Sequence, residues 1–171
     1  DNILSYMYAM MKEARAAGKP IRRETLQAMG ASVVLFPGVE AWFERVNAAG
    51  EAVGLNIRHY IISSGIREII LGTPIARYFH RIYACEFHYD ENGEADWPAN
   101  AINYTGKTQY LFRINKGVLD VTNVLDLNRY TPEHLRPVPF PRMIFLGDGA
   151  TDIPIMRLTR RNGGRSLAVY T

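Results

Sequence analysis

Cysteine is nearly absent: Cys85 is the only one in 171 residues. That excludes an intramolecular disulfide and any multi-cysteine zinc site, and it fits a reduced, cytoplasmic setting. No apolar run approaches the roughly 18–20 residues that span a bilayer, so no membrane association is expected. The opening Asp1-Asn2-Ile3 has no basic n-region, and no secretory signal is expected there. The chain does not begin with Met, as expected of a processed product or a fragment. Charge of one sign is lacking too: 20 Lys+Arg against 17 Asp+Glu leave a formal +3. So small an excess permits an anionic ligand and gives no reason to expect nucleic acid. No internal repeat or low-complexity linker interrupts the sequence.

What remains is ordinary globular material, 47% hydrophobic and 22% charged, of a length that suits one domain with a small appendage. Ile3, Leu4, Met7, Met10, Met11 and Ala14 repeat at helical spacing, and Gly18-Lys19-Pro20 stops that helix. A short helix over 22–29 follows, ending at Gly30. After the apolar run Val33-Val34-Leu35-Phe36 and the break Pro37-Gly38, residues Val39, Trp42, Phe43 and Val46 predict another helix that ends near Gly50.

The period changes at Leu55. Residues 56–62 predict a strand ending in Ser63-Ser64-Gly65, followed by a helix with Ile66, Ile69 and Ile70 inward. Arg81 to Tyr89 predicts a second strand, closed by the turn Asp90-Glu91-Asn92-Gly93. The stretch 95–105 is polar and reads as irregular. Lys107 to Lys116 predicts a helix with Leu111 and Ile114 inward and Gly117 near its end. The proline-rich 128–141 reads as loop. Met143-Ile144-Phe145-Leu146 predicts a buried parallel strand, then Gly147-Asp148-Gly149 turns into a helix capped by Asp152, with Pro154 in its first turn. Ser166 to Tyr170 predicts a last strand. Alternating strands and helices from about residue 55 predict an α/β layered core. The helical 1–34 is expected to be a cap.

Three local patterns carry chemistry. Asp148 is delivered to the carboxyl end of a buried strand, where open α/β sheets place ligands. Its flanking glycines let a ligand approach the backbone, and Asp152 follows one helical turn on. Two carboxylates there suit a hard cation such as Mg²⁺; the plainer alternative is a turn with an N-cap. Ser63-Ser64-Gly65 lies between strand and helix, where a hydroxyl beside exposed N–H groups can bind a phosphoryl oxygen or simply cap the helix. Lys107 is one of four lysines. It opens a helix after Thr105-Gly106, where it can neutralise phosphate or stand as a solvated surface lysine.

Other patterns fail on spacing. Gly106-Lys107-Thr108 lacks the upstream glycine of a P-loop, since position 101 is Ala. Ser63 and Ser64 lack the upstream glycine of a nucleophile elbow. Cys85 and His88 fall on opposite faces of a strand, which argues against a shared metal. His59, His80 and His134 have no partner pattern. Arg157, Arg160, Arg161 and Arg165 read as a solvated helix end.

Taken in order, the three patterns resemble the haloacid dehalogenase-like (HAD) hydrolase superfamily, in particular its phosphoserine-phosphatase-like branch. Ile61-Ile62-Ser63-Ser64-Gly65 resembles the second motif of that family, Gly106-Lys107 with its helix the third, and Phe145 to Asp152 the fourth. Val34 to Val39 resembles the segment leading from cap to core. The resemblance covers about 35–171. It implies a Rossmann-like three-layer sandwich with a parallel sheet, incomplete at its N-terminal side, and a helical cap. The family's first motif, Asp-x-Asp-x-Thr on a strand upstream of the cap, has no match here, and Thr151 stands where phosphoserine phosphatases typically have Asn.

The resemblance further implies a Mg²⁺-dependent phosphatase of a small phosphorylated metabolite, acting through an aspartyl-phosphate. Ser63, Ser64, Gly65 and Thr151 would bind substrate. Lys107 would act in catalysis and substrate binding, Asp148 would bind Mg²⁺, and Asp152 would serve both catalysis and the metal shell. The nucleophilic aspartate would be missing from these 171 residues, leaving them inactive alone. A non-catalytic binding protein on a degenerate HAD-like fold is the alternative, and an Asp-x-Asp upstream of Asp1 in the encoded protein would separate the two.

Overall fold

The computed structural model describes residues 1–170. It divides into two compact units, Asp1–Ala101 and a second that begins at Ile102.

The first unit opens with three helices. Helix α1 (Asn2–Ala16) is capped by Asp1, whose carboxylate accepts from the Ile3 and Leu4 amides. Its apolar stripe buries Met7 and Met11. Helices α2 (Arg23–Gly30) and α3 (Val39–Glu51) follow, as the apolar periodicity predicts. Strand β1 (His59–Ile66) leads into the single turn of α4 (Arg67–Leu71), and β2 (Phe79–Tyr89) runs parallel to β1. Residues 82–85 of β2 are buried in succession, as in a strand covered on both faces. The helices of 1–34 pack within this unit, α1 against β3 and α2 against α4.

The α2–α4 crossing depends on two glycines. A Cβ on Gly30 would run into the Ile69 carbonyl and lie 2.6 Å from the Gly72 Cα, and one on Gly72 would overlap the Gln27 carbonyl oxygen. The two backbones therefore pass closer than any side chain allows. Beneath them Glu68 is 1% exposed, 3.6 Å from Arg23. Arg23 also lies over the Tyr89 ring. Burial, with the Glu68 charge behind it, raises the Tyr89 hydroxyl far above its ordinary pKa.

Two readings of this half are corrected. The stretch 95–105 is not wholly irregular: Ala95–Asn100 forms β3, antiparallel to β2, with His88 opposite Trp97 and Phe87 opposite Pro98. Polar residues and a proline hide it because it is an edge strand, where a missing N–H costs no ladder bond. The first strand also runs past residue 62. Ile62 pairs with Tyr83 and Ile66 with Cys85, so Ser63-Ser64-Gly65 bulge out before pairing resumes.

In the second unit, α5 (Lys107–Lys116) buries Tyr110, Leu111 and Ile114 and ends at Gly117 in the left-handed region, φ 72°. The short α6 (Val124–Asn128) belongs to a segment fastened to α5 by cations. The Arg113 guanidinium donates to the carbonyls of Asp120, Val121 and Asn123, and Lys116 Nζ to those of Leu127 and Arg129. Strand β4 (Ile144–Gly147) pairs in parallel with β5 (Arg165–Ala168), and α7 (Ile153–Arg161) packs on both. Ser166 Oγ donates to the Met156 carbonyl on the α7 side, while Ile144, Leu146 and Leu167 stay exposed.

The architecture is thus mixed α/β with parallel pairs, as the alternating pattern predicts. Within the first unit the strand order is β1-β2-β3, and within the second β4 pairs with β5. Among the described residues no helix is long and apolar enough to cross a membrane.

Candidate functional site

In the second unit, chain positions 45 apart meet. The turn into α5 is shaped by Asn103, whose Oδ1 accepts from the Gly106 amide at 2.7 Å and from the Thr105 hydroxyl at 2.9 Å. Lys107 thereby leaves the first position of α5 with its side chain only 6% exposed. Its Nζ donates to Asp152 Oδ1 at 2.6 Å and to Thr151 Oγ1 at 3.2 Å. The reading of Lys107 as a solvated surface residue is therefore excluded.

Asp152 is buried as deeply, and its second oxygen is also occupied. Oδ2 accepts from the amides of Asp148 at 3.2 Å and Gly149 at 3.4 Å. Asp152 makes no side-chain cap to α7, contrary to the cap expected from sequence. It reaches back instead and closes a 3-10 turn over Ala150–Asp152. Gly147 makes room for this: a Cβ there would lie 2.7 Å from Asp152 Cβ and 2.8 Å from Oδ2. A carboxylate with one oxygen on an ammonium and the other on two backbone N–H groups is a positioning group. It fixes where Lys107 and the backbone of Asp148 stand.

Asp148 itself is exposed at the end of β4. Its carboxylate has the hard-oxygen chemistry that Mg²⁺ takes. Among the described residues no group of three or more His, Cys, Asp or Glu gathers into a metal cage. The fit is therefore that of one protein carboxylate on a hydrogen-bonded turn, with further ligands to come from substrate, water or other residues.

Ser63, Ser64 and Gly65 lie on β1 in the first unit. Ser63 Oγ accepts from the Gly65 amide at 3.0 Å, a local turn bond. Ser64 differs: its Oγ is buried with no hydrogen-bond partner among the described residues, while its carbonyl accepts from Cys85 Sγ. By resemblance the sequence puts Ser63 on the phosphoryl oxygen; in the structure it is the Ser64 hydroxyl that lacks a partner among the described residues.

Sequence reasoning missed three polar partnerships. Asn103 was hidden among polar neighbours, although Asn three residues before Gly106 is a turn signal. His59 Nε2 lies 2.8 Å from Asn47 Oδ1, and burial lowers the pKa of its imidazole. His88 Nδ1 lies 2.6 Å from Asp96 Oδ1, across a strand pair that the sequence did not reveal.

No family model matches the chain. It is 29% identical to an uncharacterized protein of Borreliella burgdorferi over a 147-residue alignment, which covers 76% of this chain and 50% of that protein. The chain thus spans half the length of the curated relative it matches. Among solved structures, a HAD family hydrolase from Salmonella enterica subsp. enterica serovar Typhi superposes with a TM-score of 0.49 at 18% identity, covering 98% of this chain and 61% of that one.

Proposed function

We propose that the whole protein is a Mg²⁺-dependent phosphomonoester hydrolase of the HAD type, acting in the cytoplasm on a small phosphorylated metabolite. The observation that supports it most is the buried Lys107–Asp152 pair, set on the turn that presents Asp148. Paired with Asp152, Lys107 is a positive charge held out of solvent on the same turn that presents Asp148.

In this reading Asp148 holds the cation, which supplies positive charge to the phosphoryl oxygens when bound. Lys107 adds a second positive charge on the same centre, held in place by Asp152. The Thr151 hydroxyl, 3.2 Å from Lys107 Nζ, orients either the lysine or a substrate oxygen. By the resemblance, Ser63, Ser64 and Gly65 would bind a phosphoryl oxygen; the Gly65 amide already donates to Ser63 Oγ and would have to exchange that bond for the substrate. The nucleophile is an aspartate of an Asp-x-Asp pair outside residues 1–171. It attacks phosphorus, the alcohol leaves, and water then hydrolyses the aspartyl-phosphate to release inorganic phosphate and restore the carboxylate.

The test is turnover of a generic aryl phosphate by the whole protein, with and without chelator. Activity that vanishes with the metal and returns with Mg²⁺ supports the reading. Metal-independent activity removes the Mg²⁺ role, and silence across a broad phosphate panel favours a non-catalytic binding protein. Residues 1–171 alone should be silent in either case.

A further inference from the structure

The first unit carries a groove of about 480 Å³ between α1 and β3, outside every motif discussed above. That volume lies within the range of small-molecule clefts. Its helical wall is Tyr8, Met11, Lys12 and Arg15, one face of α1 at i, i+3, i+4 and i+7. Its strand wall is Asp96 and Trp97.

The chemistry of this lining is uneven. Met11 is buried, a deformable apolar floor. Above it Tyr8 and Trp97 are 51% and 61% exposed, two aromatic rings left open to solvent. Among the lining side chains the cations Lys12 and Arg15 outnumber the one carboxylate, Asp96. Asp96 is engaged by His88 Nδ1 at 2.6 Å. Lys12 makes no ion pair among the described residues, and Arg15 spends one N–H on the Ala95 carbonyl at 3.1 Å, which fixes its guanidinium beside β3. Arg15 also feels Asp90, on the turn before β3. Two cations thus flank open aromatic surface, and the carboxylate in the lining, Asp96, lies 2.6 Å from His88 Nδ1.

We infer that this groove binds a small aromatic anion, its ring against Tyr8 and Trp97 and its phosphate or carboxylate on Lys12 and Arg15. Cation and ring surfaces together select such a ligand over a neutral one: the arginine fork and the ammonium reward negative charge, and the rings reward a flat apolar body. The site does not depend on the hydrolase reading, because no residue of that chemistry lines it.

The test uses the intact chain in a Trp42→Phe background, so that Trp97 is the only tryptophan reporter. Phenylphosphonate, which no phosphatase can hydrolyse, and phenylacetate are titrated against neutral phenylacetamide while Trp97 emission is followed. The expected result is saturable change with one or both anions, at least about tenfold weaker with the amide. Lys12→Gln should weaken the anion by about tenfold and leave the amide unchanged. Arg15→Lys, which keeps the charge but loses the fork, should weaken it less. Preference for phenylphosphonate or phenylacetate assigns the anionic group. Equal binding of anion and amide, no saturable signal with either anion, or indifference to Lys12→Gln overturns the site, whatever the phosphatase assay shows.

Discussion

Lys107 Nζ and Asp152 Oδ1 stand 2.6 Å apart with both side chains less than a tenth exposed, while the other oxygen of the same carboxylate gathers the Asp148 and Gly149 amides. One aspartate thus joins the first residue of α5 to the turn that follows β4.

Breaking that pair should cost more than deleting it. Asp152→Asn leaves a buried ammonium without its counter-charge, and about 3–5 kcal/mol of stability should be lost. Lys107→Met alone strands the carboxylate less severely, since two amides still serve it. The double variant Lys107→Met/Asp152→Asn should recover part of the loss. Urea unfolding of the four proteins decides the matter; additive single losses would show that the pair is uncoupled.

Ser64→Ala should separate stability from activity. Removing a buried hydroxyl with no partner relieves a desolvation cost of about 1–3 kcal/mol, so the variant should be as stable as the wild type or more so. On the proposed hydrolase reading, it should also lower phosphomonoester turnover by the whole protein. Ser63→Ala loses the Gly65 turn bond and should be mildly destabilised instead. A destabilised Ser64→Ala in thermal unfolding would show that the hydroxyl is satisfied after all.

Gly72→Ala and Gly30→Ala should each destabilise the first unit, by about 1–3 kcal/mol or more, because the added methyl meets backbone rather than a side chain that can swing away. Gly54→Ala is the contrast. A Cβ there meets nothing within 4 Å, but its φ of 72° strains any side chain, so its smaller cost should be conformational alone. Equal losses at all three would remove the close crossing of α2 and α4 as the cause.

His59 sets a pH dependence of definite sign. Burial lowers its pKa in the folded chain below the ordinary 6.5, so the unfolded chain binds the proton more readily. Its contribution to stability is present above pH 6.5 and is lost as pH falls through the folded-state value. His59→Gln should flatten the fall in stability between pH 7.5 and 5.5. An unchanged slope would assign the acid sensitivity to other groups.

The helices were legible because their apolar spacing is also their packing. Met7 and Met11, Leu111 and Ile114, each lie inward where the period puts them. Lys107 was legible as a candidate by its place at a helix start. Asp152 was placed in the same site, as a cap and by resemblance in the metal shell, but its direct pairing with Lys107 was not foreseen. A carboxylate at such a position can turn forward to that helix or back to the preceding loop, and Gly147, by leaving space, decides for the second. Strand β3 was illegible because Asp96, Trp97, Pro98 and Asn100 break the alternation that marks a strand, and its pairing with β2 is long-range information.

The cations that fasten the segment after α5 set how that segment fluctuates. Arg113 and Lys116 together hold five carbonyls between Asp120 and Arg129, a stretch whose own regular structure is the single turn of α6. Carbonyls tied to a helix through two side chains open when those side chains let go. Amide hydrogens from about 120 to 129 should therefore exchange with deuterium as one cooperative group, governed by α5 and not by the loop. Arg113→Met would then act at a distance in sequence: it would turn a ten-residue stretch from a slow-exchanging extension of a helix into a site of easy proteolytic entry.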